Sequence, residues 1–322
     1  MSISRRQFLE SAAVAGLATN ALAAKGKLPK RTLGKTGAEV SMLAFGCGSR
    51  LLSYADEEAI EALNKGIDLG ITYIDTAQGY GNGRSEQIVG QVMKSRRKEV
   101  WLATKVQERD PEKAKRLIEQ SLKSLNTDQV DLLHIHSLAK EDDLARIEAK
   151  GGLLDVIRST RDQKMARFIG ITSHTDPATL KAALERHDFD CTQFALNAAR
   201  AGQANFKKGS PQTTPGTSFE DLALPVARRK KMGVIAMKVF GQEHLLGRGA
   251  STGKLIHYSL SLDGVTTAVA GMPKFEHIDS NVAAVRAFKP LPKSEMRQLA
   301  MSMSMLEAKL AMDRYFVDHI DA

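Results

Sequence analysis

The chain has 322 residues, 43% hydrophobic and 26% charged, with a formal net charge of +9. That balance suits a soluble domain with a full core, and the length accommodates an α/β barrel of about 250 residues as one domain. The basic residues are scattered, without a zinc finger, an RNP-like motif or an aromatic-interleaved basic stripe, which argues against nucleic-acid binding. Arg96-Arg97-Lys98 and Arg228-Arg229-Lys230-Lys231 fall at the ends of predicted helices, where cations complement the helix dipole. The two cysteines, Cys47 and Cys191, form neither a disulfide framework nor a metal-ligand spacing, and are expected as small buried residues of barrel strands.

In chain order, Ser4-Arg5-Arg6-Gln7-Phe8-Leu9-Glu10 matches the twin-arginine export motif. A weakly apolar run over 11–24 follows, too short for a membrane span of about 20 residues. Ala21-Leu22-Ala23 is a small-residue cleavage site. The expectation is a signal peptide over 1–23 and a single mature domain over 24–322. The domain would reach the periplasm, or another extracytoplasmic space, through the twin-arginine export machinery, and would keep no stable membrane span after signal removal. Because that route carries folded cargo, the chain would fold before crossing, around a cofactor if it has one.

Residues 30–37 (KRTLGKTG), with Gly34 and Gly37 as turn signals, predict a short β-hairpin. Strand-like and helix-like stretches then alternate. Strands are predicted over 40–46, 71–75, 100–104, 130–136, 166–172, 192–196, 233–237 and 266–270. Helices are predicted over 56–69, 85–95, 111–125, 153–163, 177–185, 219–231, 254–262 and 275–287. Pro111 sits at a first-turn position and Asp176 is a plausible N-cap. Eight strand–helix units predict a closed (β/α)₈ TIM barrel, about 38–288, in preference to an open doubly wound sheet. The open sheet calls for a G-x-G-x-x-G turn after the first strand, and Gly46-Cys47-Gly48-Ser49-Arg50-Leu51 lacks the third glycine. A polar loop over 198–218 and a C-terminal helix over 293–312 fall outside the rhythm. The methionines of that helix read as packing groups.

In a parallel barrel the active site lies at the carboxyl ends of the strands. Asp75, Lys105 and His136 end the second, third and fourth predicted strands, and Tyr80 follows in the next loop. Strand alternation turns Ala103 and Lys105 to the lumen if Leu102 and Thr104 face the helices, and the same parity turns Tyr73, Asp75, His134 and His136 inward. Any one of these residues could be structural; four converging on the rim are hard to explain as packing.

Here the sequence resembles the aldo/keto reductase superfamily. The resemblance rests on KRTLGKTG (30–37), IDTAQGYGNGRSE (74–86), Ala103-Thr104-Lys105, VDLLHIH (130–136), IGITS (169–173) and GMPKFEHIDSN (271–281), and covers nearly all of 30–288 in order. It implies a nicotinamide cofactor across the barrel mouth, hydride transfer to or from a small carbonyl or alcohol substrate, and proton donation by Tyr80. Lys105 would favour the phenolate, Asp75 would orient Lys105, and His136 would position the carbonyl oxygen. His134, two residues deeper, would pack beneath the site. The resemblance also assigns Thr172, Ser173 and Gln193 to the nicotinamide carboxamide, Met237 to the ring face and Lys238 to the pyrophosphate. Gly271, Met272 and Asn281 fall in the segment for the adenine end, where Lys274 and His277 could pair with a 2′-phosphate. NADP(H) is therefore expected ahead of NAD(H), with no metal. Relatives with an iron–sulfur tail have cysteines beyond this point, whereas this chain has none after Cys191. A nucleotide-binding regulatory subunit and a Schiff-base aldolase acting through Lys105 are the competing functions.

Overall fold

The structure is a computed structural model and describes residues 28–200 and 216–304. The expected signal peptide, residues 201–215 of the polar loop and the C-terminal helix beyond 304 lie outside the described residues.

The chain begins with an antiparallel hairpin of β1 (Lys30–Thr32) and β2 (Glu39–Ser41). A 3₁₀ turn at Gly34–Thr36 joins them and ends on Gly37 at φ 71°. The sequence placed one strand over 40–46; the structure divides it at Met42. The Ser41 hydroxyl donates to the Leu43 carbonyl, and the Met42 N–H donates to Pro29 rather than to a barrel neighbour. Residues 39–41 therefore belong to the hairpin, and only β3 (Leu43–Gly46) enters the barrel.

The barrel continues with β4 (Tyr73–Asp75), β5 (Trp101–Val106), β6 (Val130–Ile135), β7 (Ala166–Ser173), β8 (Cys191–Ala195), β9 (Gly233–Met237) and β10 (Val265–Ala270). Neighbours follow chain order, every pair is parallel, and β10 closes on β3. Around it lie α1 (Asp56–Asp68), α2 (Arg84–Arg96), α3 (Pro111–Ser124), α4 (Glu141–Glu148), α5 (Leu153–Asp162), α6 (Pro177–Arg186), α7 (Phe219–Arg229), α8 (Thr252–Ser261) and α9 (Phe275–Arg286), followed by α10 (Lys293–Ser304). Asp110 and Asp176 cap α3 and α6 by accepting from Lys113 N and Thr179 N, each with proline in the first turn. The sequence reading lacked α4, whose eight residues bury only Leu144 and Ile147 and so give little periodic signal.

Two apolar layers result. Leu102, Ile74 and Leu133 pack outward against the helices. Tyr73, Trp101, Ala103, Leu132 and Ile235 fill the lumen, as the alternation of side chains requires. Leu33, from the hairpin turn, is fully buried in this inner layer. Burying a leucine contributes about 1.5–3 kcal/mol, and here it seals the amino end of the barrel. The fit is close: a Cβ on Gly233 would lie 2.7 Å from Leu33. The carboxyl ends of the strands are the open end.

Four residues of the basic clusters are engaged within the chain. Arg96 pairs with Asp68 and Glu99, Arg97 with Asp131, and Arg228 with Asp263. Lys230 donates to the carbonyls of Leu184 and His187. Among the described residues no helix is long and apolar enough to cross a membrane.

Candidate active site

At the open end, β4 delivers Asp75 and the loop after it delivers Tyr80. That loop turns sharply through Gly81, Asn82 and Gly83, with φ of 57°, 52° and 90°. A β-carbon on Gly81 would also meet Leu52 at 2.8 Å, so the turn needs glycine on two counts. Lys105 lies within β5, one residue before its end, and faces the lumen.

The Lys105 ammonium is nearly inaccessible, and its three donors have three acceptors. Nζ lies 2.8 Å from Asp75 Oδ2, 2.8 Å from the Thr76 carbonyl and 3.3 Å from the Tyr80 hydroxyl. An ammonium can only donate, so the Tyr80 oxygen accepts and its own proton is directed elsewhere. Asp75 Oδ2 also accepts from Gln193 Nε2 at 3.2 Å. His136, just past β6, is fully buried, with its ring edge-on to Tyr80 at 5.7 Å between centroids. Arg109 fixes its backbone by donating to the His136 carbonyl at 2.9 Å while gripping Asp143 with two bonds of 2.8 Å. The four residues singled out in sequence therefore meet at one point.

His134 lies beneath them, opposite Lys105 in the β5–β6 register. Burial, then Lys105 and His136, holds its imidazole well below the usual histidine range, so it is neutral. A Cβ on Gly170 would come within 2.4 Å of its Nδ1, so the ring occupies space that only glycine leaves.

Above these residues is an open cleft running from Tyr80 to Asn281. Gln193, Met237, Lys238, Gly271, His277 and Asn281 line it. Other expected contacts are elsewhere. The Thr172 hydroxyl accepts from Ser137 N at 2.8 Å and the Ser173 hydroxyl donates to the Leu138 carbonyl at 2.8 Å. Both are fully buried and anchor the loop that follows His136; the cleft instead meets the next residue, His174. Met272 is wholly buried, and Lys274 projects outward beside Glu276 at 3.7 Å.

The sequence reading also missed Phe240, which brings an aromatic ring to the cleft three residues past Met237, and an ion pair across the cleft. Arg50 Nη2, after β3, meets Glu243 Oε2, after β9, at 2.9 Å. A run of non-glycine residues at positive φ, Lys238, Gln242 and Glu243, marks the second of these loops as constrained. The glycine-rich turn after β3 was the available signal for Arg50; nothing local pointed to Glu243.

The cleft fits a nicotinamide dinucleotide. Gln193 Oε1 is a buried acceptor with no partner among the described residues, suited to an amide N–H. Met237, Val269 and Ala270 line the cleft with apolar surface, and Lys238 and Arg50, the latter paired with Glu243, line it with positive charge. Among the described residues no cluster of histidine, cysteine and carboxylate side chains could hold a metal ion.

Residues 43–255 match the pattern described as the Aldo/keto reductase family. The chain is similar to YqkF, an uncharacterized oxidoreductase of Bacillus subtilis, at 26% identity over 84% of this chain and 95% of the relative. Its fold is similar to that of an aldo-keto reductase from Bacillus halodurans in its holo form, with TM-score 0.69, 25% identity and coverage of 86% and 96%. It is also similar to an aldo-keto reductase from Klebsiella pneumoniae in complex with NADPH, with TM-score 0.65, 23% identity and coverage of 86% and 96%.

Proposed function

The chain belongs to the aldo/keto reductase family, and from that premise we propose that it moves hydride between NADP(H), or secondarily NAD(H), and a small aldehyde or ketone, or in reverse from the alcohol. The observation that carries this reading is the buried Lys105 ammonium held between Asp75 and Tyr80, which themselves line the cleft.

The nicotinamide supplies or accepts the hydride when bound. Tyr80 donates its proton to the carbonyl oxygen. Lys105, 3.3 Å away, favours the phenolate left behind. Asp75 fixes the ammonium, and the fully buried His136 limits where Tyr80 and the carbonyl can sit. Gln193 offers its buried side-chain oxygen to the carboxamide. Arg50 and Lys238 attract the pyrophosphate. His277 at the far end favours a 2′-phosphate, in keeping with the NADPH of the Klebsiella neighbour. Thr172 and Ser173 act through the His136 loop.

Tyr80→Phe keeps the ring and removes the proton donor. Reduction of a generic aldehyde should fall by about 10²–10⁴-fold, while cofactor affinity, read by fluorescence titration, stays within about twofold. Near-wild-type turnover would overturn the reading.

For the cell, we propose that residues 1–23 direct the folded protein through the twin-arginine machinery to an extracytoplasmic space, with the cofactor already bound in the 24–322 domain. The motif at Arg5-Arg6 supports this. Replacing both arginines with lysine should retain the protein in the cytoplasm, and protein from the exported fraction should release a nicotinamide dinucleotide on denaturation. Export of the Lys-Lys variant would refute the route; empty but folded exported protein would refute the loading.

A further inference from the structure

The first turn of α2 holds two polar side chains that a surface helix would turn to solvent. Ser85 and Glu86 are 0% and 1% exposed. Ser85 Oγ donates to the Cys47 carbonyl at 2.6 Å and lies 2.8 Å from Thr76 Oγ1. A hydroxyl has one proton, and that of Ser85 is committed to Cys47, so Thr76 is the donor in the second contact. The Ser85 backbone N–H donates to the Tyr80 carbonyl at 3.3 Å. One residue thus joins the chain after β3, the chain after β4 and the turn that carries Tyr80.

Each of these partners bears on the ammonium. The Thr76 carbonyl accepts from Lys105 Nζ, and Cys47 N–H donates to the Asp75 carbonyl at 2.8 Å. Glu86 accepts from Thr104 Oγ1 at 2.6 Å, one residue from Lys105. A buried hydrogen-bond network is satisfied in few arrangements, and a missing member leaves costly orphans. The first turn of α2 can seat only where the Tyr80 turn and the Thr76 carbonyl are in register with Lys105.

We propose that Ser85 is a positioning residue for the Tyr80–Lys105 pair, setting the separation of phenol oxygen and ammonium through Thr76 and the Tyr80 backbone. This rests on Tyr80 being the proton donor. Coulomb attraction falls with distance, so widening the gap from 3.3 Å by about 1 Å at an effective dielectric constant of about 20 raises the phenol midpoint by roughly one pH unit.

The test compares Ser85→Ala, Ser85→Thr, Thr76→Ala and Ser41→Ala in the full chain. Ser41 is a matched control, a fully buried serine at the opposite end of the barrel that donates to the Leu43 carbonyl at 2.6 Å and accepts from Thr72 N at 2.9 Å. Two readouts are taken. One is the pH profile of kcat for aldehyde reduction. The other is ultraviolet titration of the phenol without substrate, by difference against Tyr80→Phe. Ser85→Ala should lower kcat by about tenfold with the KM for cofactor unchanged, and move both alkaline midpoints up by about half to one unit. Thr76→Ala should move them in the same direction and carries the test should Ser85→Ala not fold. Ser85→Thr should restore the midpoint, and Ser41→Ala should leave it in place. Wild-type midpoints in folded Ser85→Ala or Thr76→Ala would overturn the proposal, as would an equal shift in Ser41→Ala. An active Tyr80→Phe would instead sink the functional reading, while the substrate-free phenol titration would still report on Ser85.

Discussion

Glu86 offers a prediction whose size follows from its surroundings. Its carboxyl is buried beneath α2, against Thr104 and Ser121. Burial pushes it up to about 7 from an ordinary 4.5, and the hydrogen bonds from Thr104 and Ser121 and the charge of Lys105 offset only part of that. The folded protein therefore holds this proton to a higher pH than the unfolded chain does. Below pH 4.5 both states are protonated and the group carries no ionisation penalty. As pH rises towards 7 the unfolded chain ionises first and stability falls. The full penalty, about 3 kcal/mol at 1.36 kcal/mol per unit, is present once the folded carboxyl ionises as well. Glu86→Gln keeps an acceptor for Thr104 and cannot ionise. Relative to wild type, the variant should gain about 3 kcal/mol between pH 4.5 and pH 8, or about 2–4 °C of Tm for each kcal/mol. Urea unfolding of both proteins across that range, each fitted for its own midpoint and slope, measures it. A wild-type-minus-variant difference that does not change with pH would refute the argument.

Two further outcomes follow from features away from the tetrad. Glu243→Ala removes the Arg50–Glu243 bridge across the cleft; because both partners are partly exposed, the effect should be modest, about two- to fivefold faster cofactor release in stopped-flow fluorescence, and an unchanged rate would mean that the pair does not hold the cofactor in. Cys47 lies at the open end of the barrel and Cys191 near its sealed end, both buried and with burial pushing both thiols up, so neither should be alkylated in the folded protein at pH 8 and two free thiols should appear by mass after denaturation; an intramolecular bridge would contradict the strand placement.

The alternation of one β-strand made much of the site legible in sequence. If Leu102 and Thr104 face the helices, Ala103 and Lys105 face the lumen, which brings Lys105 towards Asp75 and Tyr80. The hairpin boundary was hidden because residues 40–46 read as one apolar run, and only the hydrogen bonds of Ser41 and Met42 divide it. Thr172 and Ser173 were misplaced for a different reason. The loop after His136 folds back over the end of β7 and takes both hydroxyls, a non-local contact that no spacing encodes. The Arg50–Glu243 pair was likewise invisible, since its partners are brought together only by barrel closure. Polar residues in the first turn of α2 suggest nothing more than a helix start until their burial is seen.

The hairpin that caps the barrel with Leu33 also determines how the molecule can be held. Leu28 and Pro29 enter the fold on the sealed side; a Cβ on Gly70, in the turn leading into β4, would touch Leu28 at 3.2 Å, and Pro29 accepts from Met42. A tether attached at this point leaves the far side facing outward. Protein immobilised through its leading end should therefore present its cleft to solution and turn over bulky and small substrates in the same ratio as free protein, whereas random coupling through surface lysines would occlude part of the population.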